Sequence, residues 1–299
     1  YITLMNILII TQRVDKNDAN LGLFLEWLNE FSKFYENVFV ISQKTGEYDL
    51  PENVKVFSLG KEKGFSKFRQ FLNFYKLLFI NLPKSEAVFI HMIPMWAVLT
   101  YPVNLIYRKK IYLWYTHKQV NFWLRLSEKI VSKIFTASKE SCRVNSKKIV
   151  VVGHSININK FQITNSKLQT NSKSQIQNFK TKDINSRFII FSAGRISKTK
   201  NQKILIEATD ILMNKKNIKN LEIQIAGEPI MKDDFKYLEN LKNFVKENNL
   251  VNYVKFLGGV PSGKIAEYYQ NADLFINLSN TGSLDKAVLE AMACGTNLI

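Results

Sequence analysis

Cysteine is scarce in this sequence: only Cys142 and Cys294 occur in 299 residues. Neither stands in a metal-ligand spacing, and with no secretory leader at the start given, a reducing compartment and a cytoplasmic location are the expectation. Long unbroken apolar runs are missing too. The longest apolar stretch, 87–107, contains His91, Pro94 and Pro102, so it reads as a buried strand followed by a helix and not as a spanning segment of about 20 residues. The first turn, 11–21, lacks G-x-G-x-x-G, which excludes the usual dinucleotide-binding oxidoreductase. Acids are in deficit, 25 against 42 lysines and arginines, for a net charge of +17 and a pI near 9.6. That excess favours anionic partners such as nucleotides, acidic lipid head groups or nucleic acid. No nucleic-acid motif accompanies it, so nucleic acid is not the expected partner. Abundant Lys, Asn and Ile also arise from an AT-rich genome without any functional cause.

What the sequence does have is 46% hydrophobic residues over a length that suits two domains. Apolar runs at 7–10 and 38–41 flank a helical pattern over 21–35, and runs at 54–57, 87–91, 110–115, 133–136 and 148–152 follow, with a basic, aromatic helix over 65–82. Strand, helix, strand at this spacing opens a parallel, doubly wound sheet. Residues 159–186 shift to Asn, Ser, Lys, Gln and Thr and read as a polar linker or insertion. Periodic order resumes with strands at 187–191, 221–226, 253–256 and 274–278 and helices over 202–213, 233–248 and 262–270. The expected fold class is α/β, two Rossmann-like domains facing a cleft: 1–158, then the linker, then 187–299. The last three residues, Asn297-Leu298-Ile299, read as a strand just beginning, so the second domain is expected to be incomplete in this chain.

Three places carry chemistry. Ala193-Gly194-Arg195-Ile196-Ser197-Lys198-Thr199-Lys200 leaves a strand and enters a helix, setting Arg195 and Lys200 where open sheets bind ligands. Two cations at a helix start suit a diphosphate, Arg195 by bidentate bonds and Lys200 as a point charge. Near the C-terminus Thr281-Gly282-Ser283-Leu284-Asp285 turns into Lys286-Ala287-Val288-Leu289-Glu290-Ala291-Met292-Ala293-Cys294-Gly295. The turn can offer backbone N–H groups of Gly282, Ser283 and Leu284 to a diphosphate, and Glu290 can accept bonds from ribose hydroxyls. Third, the histidines are few, and His91, His117 and His154 each follow an expected strand.

Gly194-Arg195 with Lys200, Ile225-Ala226-Gly227, Phe256-Leu257-Gly258 and Leu289 to Gly295 together resemble the GT-B, family 4 type of retaining glycosyltransferases, and the resemblance runs from the first strand to Ile299. It implies that Arg195 and Lys200 bind the pyrophosphate of a nucleotide-sugar donor, that Glu290 binds the ribose, and that Leu257 and Gly258 border the base. It implies that His117 stands against the donor sugar and that Gly22 lets backbone approach the donor. Such enzymes usually carry a second glutamate eight positions before the ribose acid; here that position is Gly282. Asp285 is the substitute acid for the sugar hydroxyls, or else a helix N-cap. The implied reaction is metal-independent transfer to an acceptor hydroxyl with retention, in glycan or glycolipid assembly, and no Asp-x-Asp triplet occurs. No cofactor is expected beyond the nucleotide sugar as substrate. A non-catalytic sugar-nucleotide module and a GT-B-fold epimerase are the alternatives. The mixed aromatic and basic segment 63–76 and Arg108-Lys109-Lys110 fit peripheral contact with an anionic membrane and a lipid-linked acceptor, or else helix packing on the sheet.

Overall fold

The computed structural model describes residues 5–18, 21–154, 156–161, 187–280 and 285–299. They divide into two compact units, Tyr1–His154 and Ser155–Ile299.

The first unit is built on seven parallel strands: β1 (Ile7–Val14), β2 (Val38–Thr45), β3 (Val54–Ser58), β4 (Ala87–His91), β5 (Lys110–Trp114), β6 (Lys133–Thr136) and β7 (Ile149–Val151), in the order β3-β2-β1-β4-β5-β6-β7. Strands covered on both faces are apolar throughout, and period-2 alternation decides which helix layer each side chain meets. Ile7 and Ile9 pack with Phe24, Leu25 and Leu28 of α1 (Phe24–Phe34). Leu8 and Ile10 pack in the opposite core, which takes Phe74 and Leu78 of α2 (Lys67–Asn81), Trp96 and Val103 of α3 (Pro94–Tyr107), and Leu124 of α4 (Phe122–Ile130). Ser66 caps α2 by accepting the Arg69 amide at 3.2 Å.

β1 is longer than its apolar run. Gln12 to Val14, expected as loop, continue the strand because β2 extends alongside, Arg13 opposite Lys44 and Val14 opposite Thr45. The Arg13 guanidinium is tied to Asp18. α4, nine residues long, has no counterpart in the sequence expectations.

His91 ends β4, but its side chain is turned into the core. The ring stacks on Phe24 with centroids 3.9 Å apart at 14°, and Nδ1 lies 3.1 Å from Thr11 Oγ1. Burial pushes its pKa down to about 3. The folded chain therefore holds this ring neutral, whereas the unfolded chain protonates it below about pH 6.5. Stability from this group is present above that pH and is lost as pH falls toward 3, by about 1.4 kcal/mol per pH unit. His91→Phe, which keeps the stacking and cannot titrate, is expected to flatten the pH dependence of urea unfolding between pH 6.5 and 5 by about that slope. An unchanged slope contradicts a neutral buried ring.

The second unit has four parallel strands, β8 (Phe188–Ala193), β9 (Leu221–Ala226), β10 (Val254–Gly258) and β11 (Leu274–Phe275), ordered β10-β9-β8-β11. Its helices are α5 (Ile158–Phe161), α6 (Gln202–Asp210), running on into a π-turn at Ile211–Lys215, α7 (Lys232–Glu247), α8 (Ile265–Asn271) and α9 (Lys286–Ala293). The strand expected over 274–278 stops at Phe275, and 297–299 contributes a single bridge, Phe275 to Leu298. Of the polar segment 159–186, residues 159–161 belong to α5, where Phe161 is buried and its carbonyl accepts Gln270 Nε2 at 3.3 Å. Residues 162–186 lie outside the described ones. Among the described residues no helix is long and apolar enough to cross a membrane.

Candidate functional site

The carboxyl ends of β8, β9 and β10 meet in a row of glycines. The Gly194 amide donates to the Ala226 carbonyl at 2.9 Å, and the Gly227 amide donates to the Gly258 carbonyl at 2.7 Å. All three glycines have positive φ: 147° at Gly194, 140° at Gly227 and 71° at Gly258. A Cβ on Gly227 would overlap the Gly194 carbonyl, so only glycine lets these strand ends approach so closely.

From Gly194 the chain passes through Arg195 to a 3-10 turn, Lys198–Lys200, and then α6. Gln202, buried at the head of α6, braces this loop: Nε2 donates to the Arg195 carbonyl at 3.0 Å and Oε1 accepts the Ser197 amide at 3.4 Å. The Arg195 guanidinium is 3.9 Å from Asp234 Oδ2, which also accepts the Met231 amide at 3.0 Å at the start of α7. The Lys200 stem lies over Gly194, its Cε 3.5 Å from where a Cβ would be. Its Nζ reaches Asp285 Oδ2 at 2.6 Å, and Asn277 Nδ2 donates to the same oxygen at 3.0 Å. The Asn280 amide donates to the Thr199 carbonyl at 3.0 Å, which fixes 277–280 beside the basic turn.

Arg195, Lys200 and Asp285 are thus brought to one end of the small sheet. Asp285 occupies the N-cap position of α9, yet its side chain makes no capping bond; it answers Lys200 and Asn277 instead. The capping role weighed for Asp285 is therefore corrected: the carboxylate is drawn to a cation 85 residues away in sequence. Gly282, Ser283 and Leu284 lie outside the described residues. Leu257 and Gly258 end β10 in the same row, and a Cβ on Gly258 would meet nothing within 4 Å.

Glu290 sits on α9, 7% exposed, among Phe191, Tyr269, Phe275, Ala291 and Cys294. Tyr269, buried on α8, donates its phenol to Glu290 Oε2 at 3.0 Å. Burial first, and then the Glu290 charge, raise the Tyr269 pKa far above its ordinary value. The same two causes push the Cys294 thiol up to about 11. At neutral pH the cysteine is therefore a protonated, inert thiol.

The first-unit candidates behave differently. His117 is exposed in the loop after β5, its Nδ1 accepting the Gln119 amide at 3.1 Å. Tyr115 closes that loop by donating to the Gln119 carbonyl at 2.7 Å. With Nδ1 used as an acceptor, the neutral ring carries its proton on Nε2. Gly22 faces its own loop: its amide donates to the Asp18 carbonyl at 2.9 Å, and a Cβ would come within 2.5 Å of that oxygen. His154 is half-buried beyond β7. Sequence reading missed Gln202, Asn277, Tyr269 and Asp234. Only Gln202 carries a visible signal, a polar residue that directly follows the basic turn and opens a helix. Among the described residues no three His, Cys, Asp or Glu side chains gather in a way that could hold a metal.

Two parallel-sheet α/β units, the second with a glycine-lined strand edge flanked by basic and acidic side chains, define the GT-B class. The solved structure of Anabaena Alr3699/HepE in complex with UDP and glucose has this fold, with a TM-score of 0.71 and 18% identity over 98% of this chain and 80% of that one. Residues 173–299 match the family Glycosyl transferases group 1. A D-inositol 3-phosphate glycosyltransferase of Paenarthrobacter aurescens is 30% identical over 112 residues, 38% of this chain and 26% of that protein. A mannosylfructose-phosphate synthase of Agrobacterium fabrum is 29% identical over 108 residues, 36% of this chain and 24% of that protein. The chain thus spans about a quarter of the length of the curated relatives it matches.

Proposed function

We propose that this chain is the donor-binding part, with its accompanying first unit, of a glycosyltransferase that moves a sugar from a nucleotide diphosphate to an acceptor hydroxyl with retention and without a metal. The observation that carries the reading is the Lys200 ammonium, laid over the bare backbone of Gly194 and aimed by Asp285 at the carboxyl edge of the sheet. Arg195 and Lys200 would neutralise the diphosphate as the bond from the anomeric carbon to the phosphate oxygen breaks, its electron pair leaving with the nucleotide. The acceptor oxygen then bonds that carbon from the same face and passes its proton to the departing phosphate oxygen. Glu290, its direction set by Tyr269, would take the ribose hydroxyls, and Leu257 with Gly258 would border the base. Asp285, at the start of α9, would meet the sugar hydroxyls, with its second task the placement of Lys200. His117 would offer its Nε2–H to the donor sugar, and Gly22 would shape the loop before α1. The acceptor is a glycan or a lipid-linked molecule.

A panel of nucleotide sugars, assayed for hydrolysis and transfer with the product anomer read by NMR, tests this directly. Retained configuration, with activity surviving a chelator, is expected. Nucleotide binding without turnover on any donor would instead make the chain a binding module, and epimerised nucleotide sugar would make it an epimerase.

A further inference from the structure

The outward surface of the α2–α4 layer has a composition that packing against the sheet does not explain. The sheet takes one side of α2 through Phe74, Leu78 and Asn81, all buried. On the opposite side Phe68, Leu72 and Phe79, four and then seven residues apart, form a second apolar stripe, Phe68 being 71% exposed. α3, which joins the next pair of strands and packs in the same core, exposes Leu105 and Ile106, the latter 68%. α4 exposes Phe122 at its first turn.

Charge on this layer is one-sided. From Lys63 to Ser127 the sequence has ten lysines and arginines and a single acid, Glu86. Glu86 is engaged at the base of the sheet, accepting the Asn6 amide at 2.5 Å. α2 and α3 contain no acid at all, and the one on α4, Glu128, accepts the Ser146 hydroxyl at 2.6 Å. Arg69 and Lys76 lie on the exposed side of α2 beside the apolar stripe.

We infer that the α2–α4 face is a docking surface for an anionic lipid bilayer, the aromatic and aliphatic side chains entering the interface and the cations facing the head groups. Exposed Leu, Ile and Phe need hydrocarbon, which a nucleic acid does not offer. The cation-rich surrounds need negative charge, which a second copy of the same face does not offer, since pairing it with itself opposes cation to cation. Anionic bilayers supply both. The inference deepens the lipid-linked branch of the proposed function by naming the surface on which such an acceptor is met, and it does not depend on catalysis.

Vesicle flotation of the whole chain tests it, with about 40% phosphatidylglycerol in phosphatidylcholine against phosphatidylcholine alone, at about 0.1 M salt. Binding to the anionic vesicles, weak binding to the neutral ones and release at high salt are expected. Phe68→Ser/Leu72→Ser/Phe79→Ser and, separately, Lys67→Gln/Arg69→Gln/Lys76→Gln are each expected to lower partitioning about tenfold or more. Thermal melts confirm that the variants fold, and Phe68→Ser alone serves where the triple does not. The inference is overturned by wild-type protein that ignores anionic vesicles, by variants that bind undiminished, or by a dimer that the serine variant converts to monomer without lipid present. Intact vesicle binding in a chain that transfers no sugar would sink the proposed function and leave this surface standing.

Discussion

Lys200→Ala is expected to lower turnover of a nucleotide sugar by about 10²- to 10³-fold, the usual loss when one preorganised group that stabilises a leaving anion is removed. The substitution acts twice. It deletes the cation that would face the diphosphate, and it leaves the Asp285 carboxylate, 16% exposed and bonded to Lys200 at 2.6 Å, without its counter-charge beside an incoming anion. The second effect is repulsive and separable. Lys200→Ala/Asp285→Asn should therefore bind a nucleoside diphosphate more tightly than Lys200→Ala alone, although it carries one more change. Calorimetric titration of the nucleoside diphosphate into wild type, both single variants and the double variant closes the cycle. Additive losses would mean that Asp285 and Lys200 act independently, and turnover unaffected by Lys200→Ala would remove the diphosphate site from this place in the fold.

Gly227→Ala should destabilise the second unit by about 3 kcal/mol or more. Overpacking against rigid structure costs about 1–3 kcal/mol, and a positive φ adds about 1–2 kcal/mol for any residue with a Cβ. The atom in the way is the Gly194 carbonyl, main chain that cannot rotate aside as a side-chain tip would. Any relief has to move the β8–α6 loop, and Arg195 and Lys200 move with it. A matched control exists in Gly263→Ala, where a new Cβ meets nothing within 4 Å. Chemical unfolding of both variants gives the difference. Equal midpoints would mean that the strand ends are farther apart than described, and weakened nucleotide binding by a still-folded Gly227→Ala would report the loop shift itself.

Much of the fold is legible in the sequence because strands covered on both faces must be apolar throughout. Ile7 to Ile10 and Val38 to Ile41 announce themselves in this way, whereas Leu221 to Ala226 shows itself by alternation, with Glu222 and Gln224 between apolar residues. The signal fails where cover ends. Gln12 and Arg13 belong to β1 but lie past the buried stretch, so their polarity hides the strand. The short α4 buries only Leu124 and Ser127, too few positions to fix a period by eye. At the site, the cations and Glu290 stand out because each sits in a distinctive local run. Their partners do not. Asp285 meets Lys200 across 85 residues and Tyr269 meets Glu290 across 21, and both pairings exist only because strand order brings β8, β11 and the flanking helices together. For Asp285 the local reading, a helix cap, lost to a distant cation that binds it more strongly than a backbone amide would.

The Tyr269 phenol has one more consequence. Burial and the neighbouring Glu290 carboxylate hold the phenol's pKa far above its ordinary value, so Tyr269 remains a donor at neutral pH. On the tyrosine side its bond to Glu290 is therefore a fixed stop and not a switch. An acid–base profile of nucleotide binding would then originate in groups other than this phenol. The phenol would then serve to orient Glu290 at the ribose end of the proposed pocket and add no charge of its own.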